Sequence, residues 1–169
     1  MKVIAQTPRI IIREYAAAEE ELFIELFADE RLTPYLPKRN NDQNREIFKA
    51  MLADYAAGAN LGKWGIFSSD GDLIGFVMLK LNAEDALKAE LGYNIHYKYW
   101  NMGIATEACK VLIDYGFNTQ RLKQITAVIV PENVASEKVL IKAGLHKTGD
   151  IFRDNETLYS YTIDAPDKL

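Results

Sequence analysis

The stretch Ile95-His-Tyr-Lys-Tyr-Trp-Asn-Met-Gly-Ile-Ala-Thr-Glu-Ala108 is where the chain first points to chemistry. It begins as the end of a strand, passes through an aromatic turn, and enters a helix at a single glycine, Gly103. A turn of that kind aims several backbone N–H groups at one point, with the positive end of the helix dipole behind them. The result is an anion site, and a phosphate is its commonest occupant. One glycine before a helix is weak evidence by itself, because many helices begin that way for packing. The loop is not a P-loop, since the second glycine and the Lys-Ser/Thr pair are missing. Nor is it a dinucleotide fingerprint, which needs three spaced glycines and a following acidic residue.

The elements on either side strengthen the reading. Ala89-Glu-Leu-Gly-Tyr-Asn-Ile95 reads as the strand leading in, with Gly92 marking a bulge or a close approach to the backbone. Gln124-Ile-Thr-Ala-Val-Ile-Val130 is apolar on both faces and reads as a central strand, stopped by Pro131. Asn133 then caps a helix over Val134 to Ala143, and Gly144 ends it in the left-handed conformation with Leu145 packing back. Two neighbouring parallel strands would each feed a helix at one edge of the sheet, where ligands bind in such sheets.

The rest of the chain supplies the frame. Arg9-Ile-Ile-Ile-Arg-Glu14 is a short buried strand flanked by charge. A helix follows with Leu22, Phe23, Leu26 and Phe27 on one face. Its other side, with Glu19, Glu20, Glu21 and Glu25, is a solvated surface or a lip that attracts an amine. Thr33-Pro-Tyr-Leu-Pro37 breaks that helix, and a second runs from about Asn41 to Tyr55, with Met51 filling the core. Trp64 to Phe67 and Leu73 to Leu81 are strands joined by a tight turn at Asp70-Gly71. The helix begun at Gly103 extends to about Phe117 and carries Cys109 as a small buried residue. His146 to Phe152 and Glu156 to Ile163 form a closing antiparallel pair joined at Arg153-Asp-Asn155. No repeat, linker or low-complexity segment interrupts the order, so residues 1–169 are assigned to one domain.

Composition narrows the classes. A chain of 169 residues with 49% hydrophobic and 26% charged content fits an ordinary globular domain with a substantial core. Net charge is −4 and no strongly basic patch stands out, which argues against nucleic acid as the main ligand. The lone Cys109 allows no internal disulfide, and two distant histidines, His96 and His146, exclude a His-rich zinc site. No apolar run approaches the ~20 residues of a membrane span, and the N-terminus lacks a signal-peptide core. A cytoplasmic enzyme or binding protein is expected.

Tyr99-Trp-Asn-Met-Gly-Ile-Ala-Thr-Glu-Ala108 resembles the acetyl-CoA-binding motif of the GNAT N-acetyltransferases, Arg/Gln-x-x-Gly-x-Gly/Ala. Pro131-Glu-Asn-Val-Ala-Ser-Glu-Lys-Val-Leu-Ile-Lys-Ala-Gly-Leu145 is similar to the second motif, Asn-x-x-Ser before a helix ending in Gly-Phe or Gly-Leu. Arg9 to Arg13 and Ala89 to Tyr93 resemble the opening and the fourth strand of the branch that acetylates N-terminal alanines of ribosomal proteins. The resemblance covers nearly the whole chain. It implies an α/β (α+β) fold with a mixed, mostly antiparallel sheet of six to seven strands, flanked by about four helices. Its central strands 4 and 5, here Ala89 to Ile95 and Gln124 to Val130, splay apart to admit the pantetheine arm.

It also implies an acetyl-CoA cosubstrate without a metal, and acetyl transfer by direct attack of a primary amine through a tetrahedral intermediate. The N–H of Ile95 would hold the thioester oxygen. N–H groups of Met102, Gly103, Ile104, Ala105 and Thr106 would take the pyrophosphate, and Asn133 would hold the pantetheine or a bridging water besides capping its helix. Three positions depart from the pattern. Trp100 occupies the usual Arg/Gln position, and Asn101 replaces a glycine, which asparagine tolerates through its access to unusual backbone angles. Leu140 stands where several relatives carry the tyrosine that protonates the leaving thiolate, which leaves Ser136 as the substitute acid or merely a second capping group.

Glu90, on the strand beside the cleft, is the candidate general base, or else an exposed strand carboxylate. His96 is a proton relay or a turn histidine with a structural hydrogen bond. An α-amine with a pKa near 7.7–8.0 is about a tenth neutral at pH 7, whereas a lysine amine near 10.4 is about one part in a thousand neutral. An N-terminal amine therefore asks least of the base. The acceptor is an N-terminal peptide, an amino compound or a polyamine, with no nucleic-acid or membrane partner, in a monomer or homodimer. The competing class is a CoA-binding sensor or regulatory module without catalysis, for which Leu140 is the support.

Overall fold

The computed structural model describes residues 1–167, so the last two residues of the expected 1–169 domain lie outside the described residues. The elements run β1 (Val3–Gln6), β2 (Ile11–Arg13), α1 (Glu20–Ala28), α2 (Asn41–Ala56), β3 (Gly62–Phe67), β4 (Leu73–Leu81), β5 (Lys88–Ile95), α3 (Ile104–Asp114), β6 (Gln124–Ile129), α4 (Val134–Ala143), β7 (His146–Arg153) and β8 (Glu156–Asp164). None of the described helices is long and apolar enough to cross a membrane.

The strands form one eight-stranded sheet in the order β1-β2-β3-β4-β5-β6-β8-β7. All of the pairings are antiparallel except β5 with β6. This is the expected mixed, mostly antiparallel sheet with one strand more than the six to seven foreseen. The extra strand is β1, a four-residue edge strand of half-buried character that leaves no alternating pattern to read.

Each face of the sheet carries its own core. On one face Tyr15, Phe23, Phe48, Phe67 and Phe76 pack under α1 and α2, with ring centroids 5.5–6.0 Å apart. In α1 the buried positions are Phe23, Ile24 and Leu26; Leu22, expected on the inner face, is 40% exposed. On the other face Val77, Leu79, Leu91 and Ile125 pack under α3 and α4, against Ala108, Cys109, Leu112 and Leu140. Cys109 is fully buried, and burial pushes its thiol pKa up to about 12. Met51 is core, as expected. The helix begun at Gly103 holds α-helical bonding to Asp114 and continues to Thr119 as a π-helical turn.

β5 and β6 hold the site open. Their parallel register covers only Lys88–Gln124, Ala89–Ile125 and Glu90–Thr126. Beyond Glu90 the strands part while β5 stays paired with β4 as far as Ile95, which is the expected splay. The β4–β5 register is continuous through Met78–Gly92, so Gly92 is not a bulge. A Cβ there would lie 2.7 Å from the Met78 side chain, and the glycine makes room for that contact instead.

Candidate active site

The loop into α3 owes its shape to backbone angles that few residues adopt. Asn101 has φ 59° and Gly103 has φ 75°, both left-handed. The chain thereby turns sharply and presents the start of α3 toward β5. The first helical hydrogen bond of α3 runs from the Glu107 N–H to the Gly103 carbonyl. Ile104, Ala105 and Thr106 therefore have no intrahelical acceptor for their N–H groups, and Gly103 has no side chain to cap them. Arg9 pins the loop from outside. Its Nη1 donates to the Met102 carbonyl at 2.9 Å and its Nε to Glu107 Oε2 at 2.7 Å. The Trp100 indole N–H donates to the Ile95 carbonyl at 2.8 Å, fixing the aromatic turn to the strand end.

The backbone of β5 faces the gap. The His96 N–H donates to the Ile74 carbonyl of the neighbouring chain segment at 2.8 Å, and antiparallel bonding alternates along a strand. Even-numbered residues of β5 therefore bond toward β4, and the N–H groups of Tyr93 and Ile95 turn toward the side β6 has left. The side chains alternate as well. Tyr93, opposite Val77, joins the core under α3 and α4; Asn94, opposite Phe76, lies on the α1–α2 face.

At the start of α4, Asn133 Oδ1 accepts from the Ser136 N–H at 3.2 Å, the expected cap. Gly144 closes the same helix at φ 104°. A cavity of about 770 Å³ passes between these parts. It is lined by Gly103, Ile104, Ala105 and Thr106, by Tyr93, Asn94 and Ile95, by Asn133 and Ser136, and on the far side by Arg31, Leu32, Pro34, Tyr35 and Leu36. Among the described residues its ionised lining groups are Arg31, Lys138 and Lys142, with no carboxylate. Two buried polar atoms in its wall, Tyr93 Oη and Asn94 Nδ2, have no hydrogen-bond partner. Burial raises the Tyr93 phenol well above its ordinary pKa; nearby Ser136 offsets part of this without a bond of good geometry.

Most of the residues singled out from the sequence thus meet at one cleft: Ile95, Gly103, Ile104, Ala105, Thr106, Asn133 and Ser136. Met102 sits at the rim, 53% exposed, with its carbonyl held by Arg9. Glu90 does not line the cavity. Its carboxylate accepts from Arg153 Nη1 at 3.0 Å and Nη2 at 2.9 Å, a bidentate pair that ties β5 to the β7–β8 hairpin. His96 accepts the Lys98 N–H through Nδ1 at 3.3 Å, the structural role, and burial lowers its pKa. Leu140 is 1% exposed in the core.

Several cleft residues left little trace in the sequence. Lys138 and Lys142, four apart on α4, place two cations on the α4 wall of the cleft. Arg31 and Asn94 had no motif, although an asparagine is an unusual choice inside a strand.

The residues present suit a phosphate-bearing cosubstrate: a cradle of unpaired N–H groups, two lysines lining the same cavity, and a slot between strands for a narrow arm. The domain family described as Acetyltransferase (GNAT) domain matches residues 9–146. The chain is 30% identical over 150 residues to the uncharacterized N-acetyltransferase YoaA of Bacillus subtilis, covering 86% of this chain and 84% of that protein. A GNAT-family acetyltransferase from Bacillus anthracis superposes with TM-score 0.79 at 26% identity, covering 94% of this chain and 96% of that one. The ribosomal-protein-S5-alanine acetyltransferase of Vibrio fischeri shares the fold, with TM-score 0.81 at 21% identity over 96% and 97% of the two chains.

Proposed function

The chain belongs to the GNAT acetyltransferase family and is an acyltransferase of the N-acetyltransferase type; from that premise we propose that it moves the acetyl group of acetyl-CoA to a primary amine by direct attack. The observation that carries this reading is the cleft itself, where the Gly103–Thr106 cradle and the opened edge of β5 line one cavity.

Acetyl-CoA supplies an activated acyl carbon and a thiol leaving group. The protein's part is to hold both partners. The N–H groups of Ile104, Ala105 and Thr106 and the α3 dipole hold the pyrophosphate, with Lys138 and Lys142 alongside. The Ile95 N–H, turned into the gap, donates to the acyl oxygen and to the negative charge that grows on it. Attack forms a C–N bond and breaks the C–S bond; the amine loses a proton and the thiolate gains one.

Ser136, beside the buried Tyr93 hydroxyl, is the group we assign to return that proton. Glu90 could accept the amine's proton only after release from Arg153, so we read its present role as holding the hairpin. The acceptor is a protein N-terminus or a small amine, in keeping with the named activity of the Vibrio fischeri structure.

The test measures binding and turnover separately. Acetyl-CoA should raise the melting temperature, and adding an acceptor should release free thiol. Ser136→Ala should lower kcat with little effect on the acetyl-CoA Kd, and Glu90→Gln should change stability more than kcat. Binding with no thiol release across amines and peptides would favour a non-catalytic module. No thermal shift at acetyl-CoA well above micromolar would end the assignment.

A further inference from the structure

Asn94 stands one residue before Ile95, with its side chain on the opposite, α1–α2 face of β5. It is 8% exposed, yet its Nδ2 has no hydrogen-bond partner. A buried donor left without an oxygen is costly, and native proteins keep few of them without a use. This one lines the cavity at the end walled by Arg31, Leu32, Pro34, Tyr35 and Leu36, away from the loop into α3.

Resting on the acetyl-transfer reading, we propose that Asn94 reads the acceptor: its amide N–H donates to a carbonyl oxygen borne by the carbon next to the reacting amine. The acceptor is then an α-amino acyl compound, from a peptide N-terminus or an amino acid, and not a polyamine.

Three observations converge on this. The first is position. The Ile95 N–H marks where the acyl oxygen is held, and Asn94 is its neighbour at a rise of about 3.3 Å along the strand. A group bound by Asn94 is therefore close to the acyl carbon, and in an α-amino acyl compound only two bonded carbons separate the amine from the carbonyl oxygen.

The second is charge. The cavity lining holds no carboxylate, and its acceptor end holds the Arg31 guanidinium, fixed by Asp29 and stacked 3.3 Å over the Tyr97 ring. A second ammonium on a polyamine finds no carboxylate there beyond Asp29, which Arg31 already neutralises. Its protonated nitrogens are donors only, so the Asn94 donor would stay unpaired.

The third is proton demand. The α-amine of a peptide N-terminus is about a tenth neutral at pH 7 and needs no strong base, which suits a cavity without a free carboxylate.

The experiment follows thiol release from acetyl-CoA with four acceptors: an alanyl tripeptide amide, alanine, propylamine and spermidine. The enzymes are the wild type, Asn94→Leu, which removes the donor at similar size, and Asn94→Asp, which keeps the shape but only accepts. Wild type should prefer the two alanyl acceptors, the better of them showing whether a protein N-terminus or a free amino acid is the source. Both variants should lose about 10- to 100-fold in kcat/KM for that acceptor. Turnover of propylamine, the acetyl-CoA KM and the acetyl-CoA thermal shift should stay as in the wild type.

The proposal is overturned if spermidine is the best acceptor, if Asn94→Asp matches or exceeds the wild type, or if the variants lose propylamine turnover equally. Absence of both a thermal shift and thiol release in the wild type would fail the underlying acetyl-transfer reading instead, a result distinct from turnover that ignores Asn94.

Discussion

On the α3–α4 side of the cleft main-chain N–H groups face the cavity beside the side chains of Asn133, Ser136, Lys138 and Lys142; on the α1–α2 side the polar groups are side chains alone. The first side offers the N–H groups of Ile104, Ala105, Thr106 and Ile95, set by the left-handed Asn101 and Gly103 and by the parting of β5 from β6. The second offers Arg31, Tyr35 and Asn94, two of them on the irregular segment between α1 and α2. A main-chain site depends on fold geometry and changes only when the backbone is forced. A side-chain site changes with any substitution. One scaffold can therefore keep a constant acyl donor while its acceptor pocket varies.

The sharpest way to break this comparison is at Gly103. Its Cβ position is open, with Arg9 Nη2 the nearest neighbour at 3.7 Å, so conformation rather than space restricts it. Gly103→Val places a β-branched residue at φ 75°, a strain of about 1–3 kcal/mol. Acetyl-CoA affinity should fall roughly 10- to 100-fold by titration calorimetry, with the acceptor KM unchanged. Gly58→Ala is the control: the same left-handed φ, 74°, at the end of α2, where stability should drop and cosubstrate binding should not.

Two arginines then test the sides separately. Arg9 braces the cradle without lining the cavity, and its side chain is half exposed. Arg9→Ala should cost about 1 kcal/mol, roughly fivefold in acetyl-CoA affinity measured by thermal shift, and leave the acceptor KM alone. Arg31 does the same for the other side by tying the α1–α2 segment to Asp29, whose carboxyl it holds down at about 2, and to the Tyr97 ring. Arg31→Ala should raise the acceptor KM about threefold while the acetyl-CoA KM stays constant. If each substitution moved the other substrate's constant, the division of labour drawn here would be reversed.

The same division explains what could be read from the chain. Gly103, Asn133 and Gly144 were legible because a turn, a cap and a helix end each demand particular residue types at fixed offsets. The splay was legible only by resemblance, since nothing in Ala89 to Ile95 alone says where pairing with β6 stops. Gly92 announced a close contact but not its nature, because the partner, Met78, sits on another strand. Glu90 looked like a free carboxylate beside the cleft; its partner Arg153 is 63 residues away, a distance over which no periodicity speaks. The acceptor wall was hidden for a further reason. Its residues lie in irregular chain and act through three-dimensional convergence, which leaves no spacing to find.

The smallest expected effect concerns acid. The junction leading into α1 is held by Glu19, which accepts from Arg13 Nη1 at 3.0 Å and Nη2 at 2.8 Å and from the Ala16 N–H at 2.7 Å. Hydrogen bonds from the Arg13 guanidinium lower the Glu19 pKa below its ordinary value of 4.5. A carboxylate whose folded pKa lies below its unfolded one adds stability above the unfolded value and loses it as pH falls through the folded value. This contribution is therefore complete at pH 7 and fades below about 4.5. Its size is at most about 1 kcal/mol, as for other partly exposed pairs. Urea midpoints at pH 7 and pH 3.5 should differ less in Glu19→Gln than in the wild type. Because the pair anchors only the α1–α2 side, amide hydrogen exchange on acidification should quicken in α1 before α3. Faster exchange in α3 first would mean that the main-chain side of the cleft, not the side-chain side, is the weaker half.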